Sequence, residues 1–172
     1  PLNVPLAREL YGLDGEGVRI GIISDSFDHA AELLPSTPAQ DVAAGMLPGS
    51  GNPCGYEQPV EVLMESTDPA SDEGRGMAQL VHSIAPGATL LFASGWDGQA
   101  GFAEAVERLT AAGADIIVDD VSYFDEPIFQ DGVPSNAVND AVALGVTFFS
   151  SAGNTTSIGT QGESAGRVIS SW

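Results

Sequence analysis

Short, uninterrupted apolar runs alternate along this chain with stretches of helical periodicity, and few folds accept that pattern. Val18–Ser24 (VRIGIIS), Val60–Glu65, Ala88–Ala93 (ATLLFA), Ala114–Ser122 (ADIIVDDVS) and Val146–Ser151 read as strands. Between them, residues 29–34, Glu73–Ile84, Phe102–Ala112 and Ser135–Leu144 read as helices, the last two closed by Gly113 and Gly145. Strands that are apolar throughout, not at alternate positions, are buried on both faces. Strand–helix–strand order therefore predicts an α/β fold with a mostly parallel sheet covered by helices on both sides. In the helix at 73–84 the inward face is expected at Met77, Leu80, Val81 and Ile84, with Asp72 as N-cap. In the helix at 102–112 it is expected at Phe102, Ala105, Val106 and Leu109. Residues 35–59, rich in proline and glycine, read as a long surface excursion.

Charge narrows the list of partners. The 172 residues carry 24 acidic side chains against 5 basic ones, a net charge of −19, and every cation is an arginine. Such a surface repels phosphate and anionic lipid, so neither nucleic acid nor membrane is expected as a partner. The longest apolar runs are far too short to span a bilayer. The single cysteine, Cys54, rules out an internal disulfide and lies in a Gly/Pro-rich loop with no nucleophile constellation around it.

In open parallel sheets, sites form at the carboxyl ends of the strands. Asp25 and Tyr123 follow such ends, Asn154 follows the last strand, and Glu73 opens a helix. Each also has a plain structural reading. Asp25 could cap a helix, although Asp28 competes for that task. Glu73 could simply favour the positive end of its helix dipole. Gly153–Asn154 could make a tight turn. As chemistry, two adjacent carboxylates in a poorly solvated cleft would share a proton and could take one from a hydroxyl at mildly acidic pH, while the helix N-terminus pulls the other way. An asparagine amide could donate to a developing oxyanion. Of the neighbours Asp119 and Asp120, Asp120 is the one expected to face the site. His29 and His82 are expected to be solvated or structural, and no residue set has zinc spacing.

Three segments together, GVRIGIISDSFD, DEGRGMAQLVHSIAPGA and GVTFFSSAGN, resemble the core of the subtilisin and sedolisin serine peptidases. The resemblance implies the three-layer fold of that superfamily. An ungapped comparison puts Ser24 at its catalytic aspartate; Asp25, one place later, is preferred because serine could not orient a base electrostatically. Counting back from Ala85-Pro86-Gly87, Glu73 falls on the sedolisin glutamate, whose partner aspartate four residues later is Met77 here. Asn154 falls on the subtilisin oxyanion asparagine, where sedolisins usually have aspartate. The chain is thus similar to a sedolisin-like bacterial subgroup. By the same resemblance Ser122, Tyr123 and Phe124 line one side of a substrate cleft, and the Gly95–Gly98 segment with Trp96 lines the other.

The resemblance implies a serine-type endopeptidase acting on peptide or protein substrates, secreted or in the cell envelope. It names no metal ligand here, though it allows calcium. It covers the N-terminal part of such a domain across residues 1–172, and the Gly-Thr-Ser motif that carries the nucleophile is absent. The isolated chain is therefore expected to be inactive and poorly soluble. The rival expectation is a peptidase-like binding or scaffold domain of a larger secreted protein, motivated by the missing histidine and by Met77. A nucleotide-binding domain is disfavoured, because Gly12, Gly15 and Gly17 precede the first strand when a phosphate loop should follow it.

Overall fold

The computed structural model describes residues 3–30, 34–68, 70–127 and 129–153. In chain order the elements are α1 (Val4–Tyr11), β1 (Arg19–Ser24), α2 (Pro38–Ala43), β2 (Glu61–Met64), α3 (Glu73–Ile84), β3 (Thr89–Ser94), α4 (Gly98–Ala111), β4 (Ile116–Asp119), α5 (Val133–Ala143) and β5 (Thr147–Ser150). The five strands form one sheet in the order β2-β3-β1-β4-β5, and every pairing is parallel. The expected α/β architecture, a parallel sheet between helical layers, is what the chain adopts.

Alternation along the strands sorts the core into two layers. Ile23, Leu91, Ala93 and Ile117 point to the side covered by α4 and α5, where Phe102, Ala105, Val106, Leu109, Ala137 and Ala141 meet them. Ile20, Ile22, Leu90 and Phe92 point the other way, against Ala78 of α3, Phe27 and Leu47. The inward face expected for α4 is the one found. Gly21 lets that helix approach the sheet, since a Cβ there would lie 3.1 Å from both Leu109 methyls.

Of the inward face expected for α3, Met77 and Val81 pack against the core, but Leu80 and Ile84 do not. Leu80 and Ile84 are 66% and 44% exposed, while Gly74, Arg75, Ala78 and His82 are buried. The cause is electrostatic. Arg75, only 2% exposed, meets Asp28, Asp41 and Asp72 at 3.3, 3.3 and 3.4 Å and donates to the carbonyls of Phe27 and Ser36. One guanidinium thus gathers three carboxylates and turns the helix about its axis.

The same cluster pins the 35–59 excursion. There the chain forms α2, started by a reciprocal capping box between Thr37 and Gln40 with Pro38 in the first turn. Asp41 carries this helix onto Arg75, and Leu47 enters the core. Of the helix expected at 29–34, His29, Ala30 and Leu34 are not helical, and residues 31–33 lie outside the described set. Helix α1 has no counterpart in the sequence reading and buries none of its residues.

Asp72 stands at the N-cap of α3 as expected but makes no capping hydrogen bond. It sits in the left-handed region at φ 59°, and its carboxylate turns back to accept from Ser26 Oγ, His29 N and Ala30 N at 2.6, 2.7 and 3.1 Å. The strained backbone is held by those bonds and by Arg75.

Candidate active site

The strand ends stop nearly level. Ser24 pairs with Ser94, Ile23 with Asp119, and Asp119 with Ser150, so Asp25 and Asp120 emerge side by side at the carboxyl edge of the sheet. The N–H of Asp120 donates to the Ile23 carbonyl at 3.4 Å, and the Ser94 hydroxyl to the Asp25 carbonyl at 2.5 Å.

Asp25 is 6% exposed and aims its carboxylate at the start of α3. It accepts from Ser71 N and Ser71 Oγ, both at 2.6 Å, from Ser26 N at 2.5 Å and from Gly74 N at 3.3 Å. Burial alone would push this carboxyl up. The Ser71 side chain and backbone, with the Ser26 and Gly74 N–H groups, outweigh burial and hold Asp25 below the usual carboxylate range. Asp25 is therefore a fixed anion, and it caps α3 from another element. Asp28, its rival for capping, is instead a partner of Arg75.

Glu73 opens α3 on the exposed side, next to the residue tied to Asp25. Its charge and that of Asp25 both reach Asp120. The Asp120 carboxyl is pushed up, chiefly by burial and further by Glu73 and Asp25. The Ser24 hydroxyl, which completes no hydrogen bond of good geometry, approaches that carboxylate closely enough to offset part of the rise. Three carboxylates from β1, α3 and the end of β4 thus share one small region, and the one that holds a proton more readily than usual is Asp120, not Asp25.

The opposite side of β4 carries Asp119, which the sequence reading did not select. It lines a cleft of about 820 Å³ together with Asp120, Ser122, Tyr123 and Phe124, between Phe102 of α4, Val138 of α5 and Phe148 of β5. Three of the four side chains expected to line a substrate cleft border this space; Trp96, half exposed, does not. The two expected walls are tied together, because the Tyr123 hydroxyl meets the carbonyls of Gly95 and Gly98, and its ring packs edge-on against Phe102 at 5.8 Å. Burial, then the charges of Asp97, Asp125 and Asp119, push the phenol up to about 12, so Tyr123 stays a neutral donor. Phe124 is almost wholly exposed.

Asn154 lies outside the described residues. His82 is buried, its ring edge-on to Tyr56 at 5.5 Å and its pKa lowered by burial; His29 is exposed. Neither stands with the carboxylates. Among the described residues no group of three or more His, Cys, Asp or Glu side chains could hold a metal ion. No helix among them is long and apolar enough to cross a membrane.

No family model matches the chain, and no curated protein matches it. Among solved structures it is similar to the crystal structure of MycP1 with the N-terminal propeptide removed, at 17% identity and a TM-score of 0.48. The match covers 95% of this chain and 49% of that one, so this chain spans about half the length of the chain it matches. At that identity and score the likeness adds nothing to what strand order and register establish.

Proposed function

We propose that this chain carries the acid–base part of a subtilisin-like serine-type endopeptidase of the sedolisin-like subgroup, acting on peptide or protein substrates outside the cytoplasm. The observation that supports this reading is the meeting of Asp25, Glu73 and Asp120 at the carboxyl edge of a parallel sheet, where Asp25 is held ionised and Asp120 is pushed up.

Glu73 is the general base. It takes the proton as a serine hydroxyl, contributed from outside the described residues, attacks the peptide carbonyl. The carbonyl π electrons move to oxygen, and Asn154 donates to that oxyanion. When the carbon–nitrogen bond breaks, Glu73 returns the proton to the departing amine. Water then repeats the sequence on the acyl-enzyme, and its proton passes through Glu73 back to the serine. Asp25 does not exchange protons in this scheme. Its bonds to Ser71 and Gly74 fix where α3 begins, and so where Glu73 stands.

The test is hydrolysis of an unfolded protein by the intact protein across acidic and neutral pH. Glu73→Gln is expected to lose about 10²–10⁴-fold in kcat with an unchanged fold. Full activity in that variant would sink the assignment. One observation favours the rival, a peptidase-like binding domain: the four bonds made by Asp25 all serve the fold, and Glu73 makes no side-chain hydrogen bond among the described residues. That rival predicts no labelling of the intact protein by a serine-directed phosphonate.

A further inference from the structure

Six buried polar side-chain atoms among the described residues lack a hydrogen-bond partner, and four of them are carboxylate oxygens, on Asp41, Asp72, Asp97 and Asp119. Asp41 Oδ2 and Asp72 Oδ2 face the Arg75 guanidinium. Among the described residues no cation pairs with Asp119 Oδ2. Asp119 is 4% exposed, and only its other oxygen is engaged, accepting from Val121 N and Ser150 Oγ, each at 3.2 Å. A buried anionic oxygen without a partner is costly unless a cation or donor reaches it.

The cleft beside it is open and supplies no such partner. No arginine or histidine lines it among the described residues, whereas Asp120, Glu126 and Asp131 do. Glu126 is already committed to Ser135, and Asp131 to Asn139. Of these four acids only Asp119 carries a buried oxygen without a hydrogen-bond partner. Phe102, Phe148, Val138 and Pro134 also line the cleft, apolar surfaces suited to a methylene stem and to the face of a planar cation.

We infer that this cleft binds an arginine side chain of a peptide or protein, with its guanidinium donating to the Asp119 carboxylate as a side-chain rotation turns buried Oδ2 toward the cleft, so that Asp119 determines specificity. Aromatic lining alone would suit apolar side chains; the buried carboxylate reverses that preference. The planar fork of arginine suits one free carboxylate oxygen between aromatic walls better than a compact ammonium does. This inference rests on the peptidase reading only for the polypeptide nature of the ligand, because binding requires no chemistry.

The experiment is calorimetric titration of the intact Glu73→Gln protein with acetyl-Gly-Arg-Gly-amide, and with the same peptide carrying citrulline, the uncharged isostere, in place of arginine. The arginine peptide is expected to bind at least about tenfold more tightly, the scale of one hydrogen bond to a charged group. Adding Asp119→Asn should remove that difference while leaving citrulline binding unchanged. Equal binding of the two peptides, or no binding of either, overturns the inference and leaves the peptidase reading intact. Arginine preference in a protein whose unsubstituted form hydrolyses nothing supports the inference and removes the peptidase reading instead. If Asp119→Asn fails to fold, the arginine–citrulline comparison still decides.

Discussion

The N–H of Gly74 donates to the Asp25 carboxylate at 3.3 Å, which ties the second residue of α3 to the end of β1. A helix would ordinarily find its first acceptor in its own N-cap. Here Asp72, the N-cap, is turned away to Ser26, His29 and Ala30, and Asp25 takes over part of that duty. The start of α3, and with it Glu73, is therefore set by an anion on another strand.

Asp25→Asn should weaken the fold even though the two side chains match in size. An amide offers one acceptor oxygen where the carboxylate offers two, and its NH₂ would confront N–H donors. A loss on the order of 2–4 kcal/mol is expected near neutral pH. The folded-state pKa of Asp25 lies below the ordinary aspartate value of 3.8, so its contribution is complete above that value and lost as pH falls through the folded value. Denaturant midpoints of the two proteins should therefore converge in strong acid. A gap that persists undiminished there would contradict the ionised-cap account.

Asp119→Asn should do the reverse. Burial, opposed in part by Ser150 and Val121 and assisted by Asp120, raises this carboxyl from 3.8 to about 6. A raised folded-state value means the stabilising contribution is complete below 3.8 and lost as pH rises through about 6. At neutral pH the ionised group costs up to about 3 kcal/mol. Asparagine keeps an oxygen for Val121 and Ser150, so the variant should be more stable near neutrality and nearly equal to the parent in acid. A neutral-pH destabilisation measured by chemical denaturation would show that Asp119 already has a partner.

Arg75→Met should cost about 3–5 kcal/mol, because it strands Asp41 and Asp72 inside the protein. The damage should appear first in the 34–59 excursion, whose docking depends on Asp41 and on the Ser36 carbonyl. Limited proteolysis should nick that segment faster than in the parent. Uniform cleavage of both proteins would mean the cluster is not what holds it.

Gly74→Ala and Gly76→Ala form a matched pair. A Cβ on Gly74 would lie 2.7 Å from the Ser26 carbonyl oxygen and against the Phe92 ring, whereas one on Gly76 meets nothing within 4 Å. The first should lose about 1–3 kcal/mol by overpacking, and the second should gain up to about 1 kcal/mol from helix propensity. If both variants melt alike, the close seat of α3 on β1 is not tight.

The sheet was legible because five runs of apolar residues admit little else, and the meeting of Asp25, Glu73 and Asp120 followed from where parallel strands end. What stayed hidden has specific causes. Hydropathy placed Leu80 and Ile84 inside α3, but Arg75 with its three carboxylates outweighed two aliphatic side chains. Helix α2 rests on a capping box within a stretch whose prolines and glycines read as loop. Asp119 was passed over for Asp120, and the register of β4 against β1 and β5 shows that Asp119, paired with Ile23 and Ser150, turns toward the α4 and α5 side. A signal was present: two acids in succession after three apolar residues must straddle a strand.

That straddling makes the numbering of β4 itself a functional quantity. One peptide unit separates a carboxylate that feels Glu73 from one that is buried on the side of α4 and α5, and the sheet between them is a single backbone thick. A one-residue insertion within β4 would leave composition, net charge and hydrophobicity almost untouched, yet it would hand each acid the other's surroundings. Substitutions can tune these two carboxylates one at a time, but a change of chain length ahead of them rewrites both at once.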